Sequence, residues 1–136
     1  MNIDDVVAQI QVREPATSFM PVQPEWVDSV AKRFPGMPDD LRHLYTTYGY
    51  GSIGESRYMI HCLLAPDEIY DPETARDLDG VLIVGDDFAG HCEAFHAANG
   101  WLFGSIGSNG NFESYDGIYS SFTDFLEQWF VADEDT

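Results

Sequence analysis

"VLIVGDDFAGHCEAF" (Val81–Phe95) decides how this chain is read. Its first five residues are a short apolar run, and short apolar runs bounded by turn residues predict buried strands. Two acids and Gly90 then interrupt the pattern before "HCEAFHA" resumes it. Asp86 and Asp87 suit a turn, because aspartate hydrogen-bonds its own backbone and tolerates unusual angles. Gly85 and Gly90 are expected to supply positive φ at the two ends of the connection. The stretch therefore predicts an antiparallel hairpin. It also raises a chemical question, since a histidine and a cysteine stand side by side next to two carboxylates.

Toward the C-terminus, Asn99-Gly100 is a strong signal for a tight hairpin turn. "WLFGSI" reads as a third strand and "GSNGNFESYDG" as a long polar loop. "SSFTDFLEQWF" predicts a helix capped by Ser121, with Asp124 three residues on. Phe122, Phe125, Leu126, Trp129 and Phe130 give it an apolar stripe. "ADEDT" reads as a solvated tail.

Toward the N-terminus, "RYMIHCLL" predicts a strand, and the acidic "APDEIYDPETARDLDG" predicts one or two short helical turns on the surface. "PDDLRHLYTTYGYG" predicts a helix opened by Pro38, with Asp39 and Asp40 at its positive end. Leu41, Leu44, Tyr45 and Tyr48 lie on its inner face, and Gly49 stops it. "QPEWVDSVAKRFPG" has Pro24 at a first helical position, and Trp26, Val27, Val30 and Phe34 facing inward. Met1–Ile10 predicts a short helix, and Val12–Gln23 a loop. Helices, a meander of strands and a closing helix imply a single α+β domain over residues 1–136. Its mostly antiparallel sheet would be flanked by N-terminal helices and a C-terminal helix that cover one face.

Composition narrows the function. Apolar residues make up 44% of the chain, enough for a packed core. The 24 acids against 6 Lys and Arg give a formal net charge of −18. Such a surface repels nucleic acid and anionic membranes, which need cationic partners. It attracts basic proteins. With only Cys62 and Cys92 there is no disulfide framework. The start "MNIDDVVAQI" has acids where a secretion signal has bases, and no apolar run reaches membrane length. A cytoplasmic location is expected.

The chemical candidates are weak. Adjacent strand residues face opposite ways, so neither His61-Cys62 nor His91-Cys92 places both side chains on one ion or forms a nucleophile–base pair, which leaves only a meeting of one residue from each pair across the sheet. The glycines of "GDDFAG" precede no Lys-Ser/Thr and no helix, so they make no phosphate loop. Acid pairs arise by chance in so acidic a chain. No enzyme activity, metal or cofactor is expected.

The order of motifs resembles the SUKH superfamily, which includes bacterial immunity proteins and Smi/Knr-type cell-wall regulators. A Pro-acid-acid-Leu helix start ("PDDLRHLYTTYG", Pro38–Gly49) precedes an apolar strand ending in Gly-Asp-Asp, a glycine, another strand and the terminal "SSFTDFLEQWF". The similarity spans roughly residues 38–130. It departs from the common pattern at Tyr48-Gly49-Tyr50-Gly51, where Asn-Gly is frequent, and at Phe95-His96, where Leu-Asp is. The resemblance implies an α+β fold and a non-catalytic immunity protein that binds and neutralises a cognate toxin, such as a nuclease. The alternative it implies is a Smi/Knr-like scaffold or regulatory interaction module with no toxin partner. The charge independently suits a basic toxin domain. Candidate contacts, chosen for charge and expected exposure, are Asp67, Glu68, Asp71, Glu73, Asp77 and Asp79 on the acidic segment. Asp86 and Asp87 at the hairpin, and Glu113, Tyr115 and Asp116 on the long loop, complete them. Tyr50, Phe112 and Tyr115 are expected as loop aromatics, which commonly anchor contacts.

Overall fold

A computed structural model describes residues 2–131; the expected solvated tail, 132–136, lies outside the described residues. The chain forms an α+β domain around one sheet. Helices α1 (Ile3–Arg13), α2 (Pro24–Arg33) and α3 (Asp39–Thr47) precede most of the strands. The strands are β1 (Ser18–Met20), β2 (Tyr50–Ile53), β3 (Tyr58–Leu64), β4 (Val81–Asp86), β5 (Cys92–His96), β6 (Leu102–Ile106) and β7 (Phe112–Ser114). A short helix α4 (Pro72–Asp77) lies between β3 and β4, and α5 (Phe122–Phe130) closes the described chain. All seven strands pair antiparallel with their neighbours in sequence order.

The helix grammar is realised. Asn2 caps α1 by accepting from the Asp5 amide at 2.8 Å, and Ser121 caps α5 by accepting from the Asp124 amide at 3.0 Å. Asp40 does more than favour a helix start: its Oδ2 accepts from Thr123 Oγ1 at 2.5 Å, tying α3 to α5. Ile3, Val6, Val7 and Ile10 of α1, Leu41, Leu44 and Tyr45 of α3 and the α5 stripe pack on one sheet face. Burying Phe122, Phe125, Leu126 and Phe130 contributes roughly 1.5–3 kcal/mol each. Trp129 departs from the expected stripe. It is 55% exposed, and its indole N–H donates to the Tyr119 hydroxyl at 2.8 Å.

The second face of the sheet is covered too, which one-sided coverage by helices did not anticipate. Leu82 and Val84 join the main core, whereas Val81 and Ile83 join a smaller one with Cys92, Ala94 and Ile106. Leu78 and Tyr70 of the acidic segment roof that smaller core. The continuous apolar run of β4 follows from this, since a strand buried on both faces has no polar side.

Several local expectations change. Val12–Gln23 contains β1, and the long polar loop contains β7; each is a three-residue edge strand, too short to show alternation. Tyr50 belongs to β2 rather than to a loop, and Phe112 to β7. The Asn99-Gly100 connection is not a two-residue turn: His96 pairs with Leu102, and a 3-10 turn (Ala97–Asn99) fills the gap. Cys62 is half-buried, while Cys92 is buried as expected of a small hydrophobe.

Gly85 is the most informative correction. Gly90 has φ +88 and open space around it, as a turn glycine should. Gly85 has no positive φ and sits inside β4. A Cβ there would lie 2.3 Å from the Tyr58 hydroxyl. Its role is to leave room for a tyrosine ring crossing the strand. Gly85→Ala is expected to lower unfolding free energy in urea by about 1–3 kcal/mol through overpacking. Gly90→Ala is expected to cost about 1 kcal/mol, the ordinary penalty of side chain at positive φ. An unchanged midpoint for Gly85→Ala would refute this assignment.

Candidate functional site

The crossing tyrosine leads to a polar cluster that the composition gave no hint of. Strand alternation puts Cys92 and Ala94 on the smaller core and Glu93 and Phe95 on the helix face. A glutamate thus stands among apolar neighbours, with 1% of its surface exposed. The Tyr58 hydroxyl, reaching over Gly85, donates to Glu93 Oε1 at 2.6 Å. The Tyr115 hydroxyl donates to Oε2 at 2.9 Å. His91 Nε2 lies 3.0 Å from Oε2 and 3.1 Å from the Tyr115 oxygen.

Burial outweighs these donors. Desolvation raises the Glu93 pKa, and hydrogen bonds from the two tyrosines and His91 offset it only in part. The cavity beside it, also lined by Arg57, Asp87, Phe125, Trp129 and Phe130, measures about 60 Å³. That is space for roughly two waters, well below the volume of small-molecule sites. Its geometry suits a satisfied buried network that pins β3, β5 and the loop after β7 together.

The sequence-derived contact residues occupy separate places. Asp67, Glu68, Asp71, Glu73, Asp77 and Asp79 are all exposed on the segment that roofs the smaller core. Two of them also hold that segment's shape. Glu68 accepts from the Ala65 amide at 2.9 Å, and Asp71 caps α4 by accepting from the Thr74 amide at 2.8 Å. The Thr74 bond is also the main cause of the lowered Asp71 pKa.

Asp86 and Asp87 are half-buried and build the hairpin turn. Asp86 accepts from the Phe88 amide and pairs with His61, and Asp87 accepts from the Ala89 amide at 2.8 Å. They present Phe88, which is 52% exposed and has a left-handed φ of 66. Glu113 is exposed on β7 and Asp116 on the following loop. Tyr115 is half-buried rather than displayed, because its hydroxyl is held by Glu93 and its ring by Phe103, Tyr119 and Phe125.

Charge is segregated. Arg42 pairs with Asp28 and Arg57 with Glu14, both on the N-terminal half. Arg76 is the sole Lys or Arg after Arg57. The half built from β4 to α5 is therefore almost purely acidic.

The two His-Cys pairs go separate ways. His61 pairs with Asp86, and Cys92 Sγ accepts from the Tyr70 hydroxyl at 3.6 Å. Burial raises both thiol pKa values, the reverse of what activates a nucleophile. Among the described residues, no three His, Cys, Asp or Glu side chains gather closely enough to hold a metal ion. No helix among them is long and apolar enough to cross a membrane.

A larger groove of about 610 Å³ opens elsewhere, between the start of α3, the β5–β6 connection and the segment leading into α5. Its floor includes Phe95, Trp101, Phe103 and Phe122, and Asp40, Asp116 and Asp124 line it. Compared with protein-family models, with curated proteins and with solved structures, the chain finds no match.

The Glu93 network has a pH signature. A carboxyl whose pKa rises on folding favours the native state below its ordinary value of 4.5, and that benefit is lost as pH rises through the higher folded value. Wild type is therefore expected to lose stability relative to Glu93→Gln as pH increases from about 4 to 8. Urea unfolding of both proteins across that interval measures it. Parallel pH profiles would show that Glu93 keeps an ordinary pKa.

Proposed function

We propose that this chain is a non-catalytic, immunity-type binding protein of the cytoplasm that occludes a basic toxin domain, such as a nuclease. The observation that carries this reading is the acidic segment Asp67–Asp79. It is fixed to the sheet through Leu78 and Tyr70, and it turns all six of its carboxylates to solvent. A protein that holds nucleic acid must present cationic surface to the phosphates. A rigid acidic face complements such a surface and speeds the encounter with it. The motif order from Pro38 to Phe130, similar to that of SUKH immunity proteins, supports the same reading. Asp86, Asp87, Glu113 and Asp116 extend the acidic character into the chain that follows.

Glu73, Asp77 and Asp79 have no cap to maintain, so they test the idea cleanly. The combined change Glu73→Lys, Asp77→Lys and Asp79→Lys is expected to leave folding within about 0.5 kcal/mol of wild type, as surface changes do. It is expected to slow association with the basic toxin about tenfold or more at low salt. Rescue of cells expressing the toxin, and association rates measured against salt, give the two readouts. A variant that rescues as well as wild type, or binding indifferent to salt, would remove the basis for this function.

A further inference from the structure

The acidic segment supplies attraction at a distance. The groove at the start of α3 and α5 has a chemistry of its own. Ile118, 64% exposed, lines it beside the aromatic floor. Asp40, Asp116 and Asp124 line it, and no lysine, arginine or histidine does. Asp40 and Asp124 already accept hydrogen bonds, from Leu41 and Thr123 and from Ser120 and Gln128. Each carboxylate oxygen has lone pairs to spare for a second donor. The helix starts beneath these two offset about half a charge each, which still leaves the groove about two charges negative.

We propose that this groove receives an extended basic segment of the protein partner, with an arginine or lysine set beside an apolar side chain. This rests on the reading that the chain binds a basic protein, and it places the specific contact at the groove rather than on α4. An arginine suits both halves of the lining. Its methylene stem covers apolar surface while its guanidinium pairs with a carboxylate. The neighbouring apolar side chain would pack against Ile118 and the aromatic floor, as anchors do in pockets with polar rims. Anionic ligands are repelled, and a neutral apolar ligand would leave the carboxylates' remaining lone pairs without donors. The volume lies within the range that accommodates a few side chains.

The probe is the peptide acetyl-Leu-Arg-Leu-Arg-amide, with acetyl-Leu-Glu-Leu-Glu-amide as its charge-inverted counterpart, titrated into the full chain at low salt and followed by amide NMR shifts. The arginine peptide is expected to move the signals of Leu102, Gly117, Ile118 and Ser121, and the glutamate peptide to leave them in place. Asp116→Asn and Ile118→Ala, both at exposed positions, are each expected to weaken binding about fivefold or more. Shifts confined to residues 67–79, an equal response to the glutamate peptide, or full affinity in both variants would overturn the assignment. Ile118→Lys separates it from the broader reading. If that variant neutralises the basic toxin as well as wild type, the groove assignment fails while the toxin-binding function stands. If the arginine peptide fills the groove but wild type neutralises no basic toxin, the function fails while the groove stands.

Discussion

The carboxyl of Glu93 constrains much of this fold. It lies on the helix-facing side of the sheet, where an unsatisfied charge is strongly destabilising. Each donor it needs arrives by a different route. Tyr58 can reach it only because Gly85 offers no side chain in the intervening strand. Tyr115 reaches it from the loop beyond β7, which requires that short strand to dock on β6. His91 reaches it from the hairpin turn that Asp86 and Asp87 shape. The Gly-Asp-Asp sequence thus serves two purposes: the glycine admits the tyrosine, and Asp87 anchors the backbone of the histidine. Removing any one of these elements would leave a buried carboxyl short of a partner.

The two faces of the sheet divide the labour. The helix face contains the large aromatic core and the Glu93 network, and it sets the stability of the domain. The opposite face contains a small core, just enough to hold the segment 66–79 in place. Six exposed carboxylates on one short segment repel one another, and such a segment would have little reason to stay ordered on its own. Leu78 and Tyr70 provide that reason. The acidic face is therefore built into the sheet instead of hanging from it.

The sequence made the scaffold legible where signals are long. Pro24, Pro38 and Ser121 mark helix starts through local chemistry, and the apolar runs of β3 to β6 are bounded by turn residues. It hid β1 and β7, because a three-residue edge strand owes its existence to the neighbour it pairs with and not to its own pattern. It misassigned Gly85, because a turn glycine and a glycine beneath an aromatic ring look alike until the distant tyrosine is placed. Glu93 could have been found. In "CEAF" the alternation puts it on the same face as Phe95, and a charge in an inward register is a signal in its own right. The candidate contacts on the acidic segment were readable as exposed because so many carboxylates lie close together with few apolar residues between them. Tyr115 was not, since its loop position concealed a hydroxyl committed to a buried partner.

A net charge of −18 on so short a chain has a physical consequence that joins these features. Mutual repulsion opposes the compact state, and it has the least relief beyond Arg57, where Arg76 is the one lysine or arginine. The N-terminal half relieves its own repulsion internally, with Arg42 on Asp28 and Arg57 on Glu14. The half from β4 to α5 has almost no such relief within the chain. Cations supplied from outside would lower its energy, whether dissolved salt or a basic protein surface. Only a surface can also use Ile118 and the aromatic floor beside it. In the function proposed above, charge would draw basic partners toward this part of the molecule, and the groove would choose among them.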